Sequence, residues 1–184
     1  MEKKKKIVRL TTAGESLDDL LIGQLKYLNQ YFDIIAVAKD DGRLQKVRKR
    51  EGVRVVDAPI ERPISLLKDI IALRWLINFF KQEKPWCVHA NTPKGSLLAM
   101  VAAWICRVPH RIYTVTGLRY QGAIGKFKFV LQTMERITCA CATKVIPEGQ
   151  GVLKTLKNDH ITNKPLEVIL NGNINGKDTS FFSV

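Results

Sequence analysis

His89-Ala90-Asn91-Thr92-Pro93-Lys94-Gly95, running on into the apolar segment Ser96–Cys106, is the stretch around which the chain reads. The residues before it, Trp86-Cys87-Val88-His89, form a short apolar run that predicts a buried strand ending in a tight turn. A helix follows. Thr92 is placed to cap it through its hydroxyl, and Pro93 suits the first helical position because no N–H is needed there. Lys94 and the free N–H groups of the first turn then face the carboxyl end of the strand, the crevice in which parallel α/β sheets bind ligands. A helix N-terminus beside a lysine favours an anionic group such as a phosphate or an acidic sugar. The same spacing also describes a well-capped core helix with a solvated lysine.

Outward from this stretch, strands and helices alternate. Ile7–Thr11 predicts a buried first strand, and Thr12–Ser16 a turn with Ser16 as helix cap. Leu17, Leu20, Leu21, Leu25 and Leu28 recur at helical spacing and predict one helix to about Tyr31. Asp33–Ala38 is the second strand, so the chain opens as a βαβ unit. Gly14 is the only glycine of the first turn, so the G-x-G-x-x-G fingerprint of dinucleotide sites is absent. Lys39–Arg50 is strongly basic and predicts a solvated surface helix, and Gly52–Val56 a third strand.

Two prolines make Ala58–Pro63 a loop. Ser65–Lys81 predicts a long helix whose Trp75, Phe79 and Phe80 pack on the sheet in preference to a membrane surface. Arg111–Val115 is the fifth strand, Thr116–Arg119 its exit turn, and Gly122–Gly125 a flexible loop. Lys126–Cys141 is a helix, Thr143–Ile146 a sixth strand, Pro147–Gly151 its exit turn and Val152–Lys157 a short helix. Leu166–Leu170 is the last strand. The expected fold is therefore α/β, Rossmann-like and doubly wound, with a mostly parallel sheet flanked by helices.

Composition narrows the partners. The 184 residues are 46% apolar, with 12 glycines and 7 prolines, enough for one domain with a true core and unlike a disordered chain. The net charge of +13 points to an anionic partner: nucleic acid, an acidic membrane surface or a phosphorylated ligand. The four cysteines, Cys87, Cys106, Cys139 and Cys141, form no C-x-x-C pair, and His89, His110 and His160 lack metal-ligand spacing, so buried free thiols in a reducing cytosol are expected and no metal site. Lys3–Lys6 is followed by too short and too charged a segment for a signal peptide, and the apolar run Leu97–Cys106 is too short to span a bilayer. The chain should be cytoplasmic, soluble or peripheral to a membrane.

Four blocks, in order, carry a resemblance. They are His89–Gly95 before an apolar helix; Arg111-Ile-Tyr-Thr-Val-Thr-Gly-Leu-Arg119; Met134-Glu-Arg-Ile-Thr-Cys139 before Ala142-Thr-Lys-Val-Ile146; and Asn171-Gly-Asn-Ile-Asn-Gly-Lys-Asp178. Together they resemble the N-terminal domain of glycosyltransferase family 4, retaining enzymes of the GT-B fold that build bacterial capsular and other surface polysaccharides. The resemblance implies an acceptor-binding domain over residues 1–170 and, from 171 to 184, the start of a linker to a donor-binding domain. It implies a UDP- or GDP-sugar as co-substrate with no other cofactor, a polyprenyl-diphosphate-linked or oligosaccharide acceptor, and a place at the inner face of the cytoplasmic membrane. Such a half is expected to bind but not to turn over alone.

The sequence departs from the family pattern twice. Thr116 stands where many members have a histidine that helps bind the donor sugar, and Pro147-Glu148-Gly149-Gln150 replaces a turn built around serines. Strand exits and resemblance converge on one sheet edge, with Gly14, Ser16, Thr92, Lys94, Thr116, Gly117, Arg119 and Glu148 as candidate binding residues. Lys94 and Arg119 are expected to hold a phosphate or acidic sugar. Gly14 would let backbone approach the ligand, Thr116 would bind a sugar hydroxyl, and Glu148 would offer a polar group to the cleft. Two other readings remain: a basic nucleic-acid-binding module, for which no helix-turn-helix, RRM or zinc pattern is present, and a nucleotide-cofactor domain without the glycine fingerprint.

Overall fold

Six strands form one sheet in the computed structural model, which describes residues 4–176. They are β1 (Lys6–Ala13), β2 (Asp33–Lys39), β3 (Arg54–Asp57), β4 (Cys87–Ala90), β5 (His110–Val115) and β6 (Lys144–Pro147). Their spatial order is β3-β2-β1-β4-β5-β6, and every pairing is parallel. This is the doubly wound order, with its reversal between β1 and β4, and it bears out the Rossmann-like expectation. The helices are α1 (Gly14–Leu20), α2 (Gln24–Asn29), α3 (Leu44–Glu51), α4 (Leu66–Glu83), α5 (Pro93–Ile105), α6 (Gly125–Cys141) and α7 (Gln150–Asn158).

The sheet is buried on both faces, which is why its strands read as near-continuous apolar runs. On one face α5 lies between α4 and α6 and closes a core of Val8, Leu10, Val37, Leu76, Phe80, Met100 and Val115. Ala99, Ala102 and Ala103 of α5 are all fully buried, as befits a helix apolar on every side. Trp75 stacks on Phe79 at 5.1 Å between ring centroids, and Phe80 is buried, so these rings belong to the core as expected. On the other face α1, α2 and α3 cover Ile34 and Ala36 with Leu17, Leu21, Leu25, Leu44 and Val47.

Four expectations are corrected. The helix predicted from Leu17 to Tyr31 is two, α1 and α2, because Glu51 of α3 reaches across to cap the second: its carboxylate accepts from Gly23 N and Lys26 N, both at 3.0 Å. Ser16 lies inside α1 and is not its cap; that role falls to Asp41, whose Oδ2 accepts from Glu15 N at 2.8 Å. The basic stretch from Lys39 begins as the last residue of β2 and a turn on the Asp40 carboxylate, and only Leu44–Glu51 is helical.

The fourth correction concerns Leu166–Leu170, which is not a strand. The segment passes alongside β6, held at its ends by Lys144–Glu167 (3.9 Å) and by Asn173 N donating to the Glu148 carbonyl (2.7 Å), with no ladder between. Pro165 lacks a donor, and the Lys164 ammonium is anchored to the Cys139 and Ala140 carbonyls at the end of α6, which holds the segment out of register. Of the segment expected to be a linker, Lys177, Asp178 and the pair Phe181-Phe182 lie outside the described residues.

The switch point is closed by a clasp. Thr92 occupies the N-cap position of α5, yet its hydroxyl does not cap the helix; it accepts from Thr12 N and meets Thr12 Oγ1, both at 2.8 Å. Thr12 Oγ1 in turn accepts from Gly95 N at 3.0 Å, so the cap of α5 comes from the end of β1. Only glycine fits at 95: a β-carbon there would lie 2.8 Å from Thr92 Oγ1 and 3.0 Å from Thr12 N. Gly95→Ala is expected to lower stability by about 1–2 kcal/mol, read by urea unfolding. An unchanged midpoint would mean that α5 can retreat from β1 without loss.

Candidate functional site

Parallel strands deliver all their exit turns to one edge of the sheet, and three concavities open around it. The first lies between the approach to α4 and the middle of α6, over the amino end of α5. It is a narrow apolar crevice walled by Ile64, Leu97, Leu131 and Met134, with Lys94, Arg119, Tyr120 and Glu135 among its lining. The second, about 500 Å³, lies beyond β1 and β2 and is lined by Glu15, Lys39, Asp41, Arg43 and Arg62. The third, about 560 Å³, is on the opposite face of β4–β6 under residues 169–176, and Glu148 faces it together with His89 and Thr114.

The candidate residues are therefore divided. Lys94 is almost fully buried; its ammonium pairs with Asp69 at 2.6 Å and donates to the Pro63 carbonyl. It ties α5 to α4 and is not a free cation at the edge. Thr92 and the Gly95 N–H are taken up by the clasp with Thr12. At Gly14, the Asp41 carboxylate fills the place a β-carbon would take, 2.6 Å from it, so the close approach there is to a neighbouring side chain. Ser16 lines none of the three concavities.

The group that remains open is on the exit of β5. Thr116 donates its hydroxyl to the Asn91 carbonyl at 2.8 Å, leaving its oxygen free to accept. Gly117 has open space about it, and the exposed Arg119, in a short 3-10 turn (Arg119–Gly122), makes no ion pair among the described residues. A guanidinium that lines the first crevice, an acceptor oxygen and an unobstructed backbone thus belong to one turn.

Several buried polar residues at or near this edge of the sheet are not singled out by sequence. Arg9, inside the apolar run of β1, is fully buried; one nitrogen donates to Gln24 Oε1 at 2.9 Å, while Nε and Nη1 have no partner among the described residues. His89, its neighbour on β4, meets Thr114 Oγ1 at 2.8 Å; burial, then the nearby Arg9 charge, hold its imidazole well below its ordinary value and hence neutral. Glu135, beneath the crevice, accepts from Tyr113 OH at 2.7 Å, and burial pushes its carboxyl up to about 7. An arginine within a run of strand residues was the one available signal for the Arg9 cluster.

Other chemistries find less support. The cysteines are free, two buried and two half-buried, and burial raises all four thiols, Cys87 to about 11 and Cys139 to about 12, which leaves them protonated and unreactive. Among the described residues no three His, Cys, Asp or Glu side chains gather as a metal set. No described helix is long and apolar enough to cross a membrane. In the basic stretch, Lys46 and Arg50 are bound to the buried Asp18 carboxylate at 2.8 and 2.5 Å, which withdraws part of its charge from any polyanion.

The sheet order and the open β5 exit define the class: a Rossmann-like α/β domain that presents ligand groups at the carboxyl edge of its strands. Residues 28–172 match the glycosyl transferase 4-like domain, and the chain belongs to that family. It is 36% identical over 160 residues to the capsular polysaccharide biosynthesis glycosyltransferase CapM of Staphylococcus aureus, covering 87% of this chain and 40% of that protein. It is 32% identical over 120 residues to the UDP-Gal:alpha-D-GlcNAc-diphosphoundecaprenol alpha-1,3-galactosyltransferase of Escherichia coli, covering 64% of this chain and 31% of that protein.

The chain thus spans less than half the length of these relatives. Among solved structures it superposes on Anabaena Alr3699/HepE in complex with UDP and glucose (TM-score 0.67, 17% identity, 91% of this chain and 45% of that one). It superposes likewise on the UDP-GlcNAc 2-epimerase of Neisseria meningitidis bound to UDP-GlcNAc (TM-score 0.65, 14% identity, 91% and 46%). At such identities these likenesses speak to the fold alone. The molecule is a GT-B-type, sugar-handling enzyme domain related to the enzymes of capsular and surface polysaccharide synthesis.

Proposed function

We propose that residues 1–170 are the acceptor-binding half of a retaining glycosyltransferase and that residues 171–184 begin its connection to a donor-binding half. The enzyme would move a sugar from a UDP- or GDP-sugar to a polyprenyl-diphosphate-linked or oligosaccharide acceptor in polysaccharide synthesis, in the cytoplasm at the inner face of the membrane. This half would bind without turning over. The observation that carries the reading is the open β5 exit: the unpaired Arg119 guanidinium suits a diphosphate, and the Thr116 oxygen and Gly117 N–H suit sugar hydroxyls. The name of the galactosyltransferase relative, whose acceptor is a sugar-diphosphoundecaprenol, supports the same acceptor class. In this reading Lys94, locked to Asp69, holds the wall beside Arg119, while Glu148 belongs to the other face of the sheet.

Amide chemical-shift mapping of the protein tests the proposal against a short-chain polyprenyl-diphosphate sugar, UDP- and GDP-sugars, NAD and duplex DNA. Shifts at Thr116–Arg119 with the lipid-linked sugar are expected. Arg119→Ala should weaken that binding about tenfold, the worth of a charge-assisted contact at an exposed site. Shifts produced by DNA alone, spread over Lys39–Arg50 and lost at high salt, would overturn the reading in favour of an electrostatic module. Shifts produced by NAD alone would favour a cofactor domain.

A further inference from the structure

On the face of the sheet away from the first crevice, a cation is buried with no anion beside it. Arg9 of β1 is fully buried, and its Nε and Nη1 have no hydrogen-bond partner among the described residues. Burial lowers its guanidinium to about 10, which still leaves it charged at neutral pH. The ionisable neighbour that favours this charge is the Cys87 thiol, which burial pushes up to about 11, so that it brings no negative charge. A buried charge with unmade hydrogen bonds is costly unless an anion completes it.

Arg9 stands behind the third cavity. It pairs in register with His89, and His89 with Ile112, two residues before Thr114, so the side chains of Arg9, His89 and Thr114 share one face of the sheet. His89, Thr114 and Gln24 line the cavity of about 560 Å³ on that face. Gln24 joins the guanidinium to the segment above: its Oε1 accepts from Arg9 Nη2 at 2.9 Å, and its Nε2 donates to the Ile174 carbonyl at 3.1 Å. His89, neutral and bonded to Thr114, adds hydrogen-bonding groups but no second cation. Tyr27, Leu28, Ile146 and Ile169 give the cavity apolar walls. Glu148, the one charged residue in its lining, disfavours a second negative charge.

We propose that the third cavity is a ligand site for a small monocarboxylate with an apolar body, the Gln24 amide turning aside so that the Arg9 guanidinium takes the carboxylate. One cation balances one anionic charge, whereas a phosphate monoester or a diphosphate brings more than one and meets Glu148. The apolar walls take the body of the ligand, and the buried guanidinium fixes its orientation. The site lies on the other face of the sheet from the first crevice and does not rest on the acceptor reading, so either can fail alone.

Benzoate is the probe, compared with acetate, benzamide and inorganic phosphate by chemical-shift titration of the protein. Benzoate should move the Arg9 Nε–H resonance, His89 and residues 172–175 saturably, acetate the same signals at lower affinity, and benzamide and phosphate none of them. Arg9→Met removes the charge and keeps an apolar chain; it should weaken benzoate binding more than about tenfold with the thermal melt retained. Tyr27→Ala, at an exposed position, should weaken benzoate but not acetate. Phosphate or benzamide bound as well as benzoate would overturn the proposal. So would unchanged benzoate affinity in Arg9→Met, an equal loss in Arg119→Ala, or an Arg9 Nε–H resonance that neither carboxylate moves. The last outcome is read on the wild-type protein and needs no variant to fold.

Discussion

Glu51→Ala should destabilise the protein by about 2–3 kcal/mol, although the residue sits in no cavity and carries no ligand. Its carboxylate is shielded from solvent and accepts three bonds: Gly23 N and Lys26 N at the amino end of α2, and Arg50 Nε at 2.7 Å. Alanine removes a cap contributed from another helix, leaves two donors of α2 without acceptors and takes one of two carboxylates from Arg50. Urea unfolding with an unchanged m value and a lowered midpoint is the expected record. A midpoint within a few tenths of a molar of wild type would show that water replaces the cap at no cost. Glu51→Gln, which keeps the shape and part of the bonding, should lose roughly half as much.

The second large effect depends on pH. Burial holds the Glu135 carboxyl up to about 7, so the folded protein keeps a proton that the unfolded chain releases near its ordinary value of 4.5. The stability this group contributes is whole below that ordinary value and is lost as pH rises towards 7, a change of about 3 kcal/mol at most. His89 acts with the opposite slope in an overlapping window. Held neutral, it contributes stability above about 6.5 that is lost as pH falls, because the unfolded imidazole takes up a proton. Asp18, Glu51 and Glu83, whose carboxyls are held below their usual values by bound cations and N–H donors, add a further loss at more acidic pH.

Wild type alone thus shows only a difference of limbs. Glu135→Gln, isosteric with the protonated acid and still able to accept from Tyr113, isolates one of them. The stability of wild type relative to this variant should fall across pH 4.5 to 7. A flat difference would mean that Glu135 titrates in the fold as it does in water.

The parallel sheet was legible because each strand is a short, nearly continuous apolar run punctuated by turn residues, and because helical segments separate every pair of successive strands. Long-range capping was not. Leu17, Leu21 and Leu25 keep helical spacing straight through the break between α1 and α2, since both helices bury the same stripe against β2; the group that caps the second is 25 and 28 positions away from the amides it binds, on α3. Leu166–Leu170 reads as an edge strand, but Pro165 before it offers no donor and Lys164 is anchored to the end of α6.

At the site, the edge itself was readable, since parallel connectivity sends every strand exit to the same side. The state of each residue there was not. Lys94 looks free until α4 brings Asp69 to it, and Thr92 looks like a cap until the end of β1 takes its hydroxyl. Arg9 and His89 are adjacent only because β1 and β4 are neighbours across the reversal of the strand order.

The clasp of Thr12, Thr92 and Gly95 also governs competition. A helix start with vacant amides is a general receptacle for small anions, and in a cell it would be contested by abundant free phosphate. Here the Gly95 amide is saturated from within the chain, and the neighbouring lysine is neutralised. What the exit of β5 still offers is the unpaired Arg119 guanidinium beside the Thr116 oxygen and the open backbone of Gly117, too sparse a set to retain a bare ion. Discrimination then falls to ligands that are large enough to engage several of these points at once.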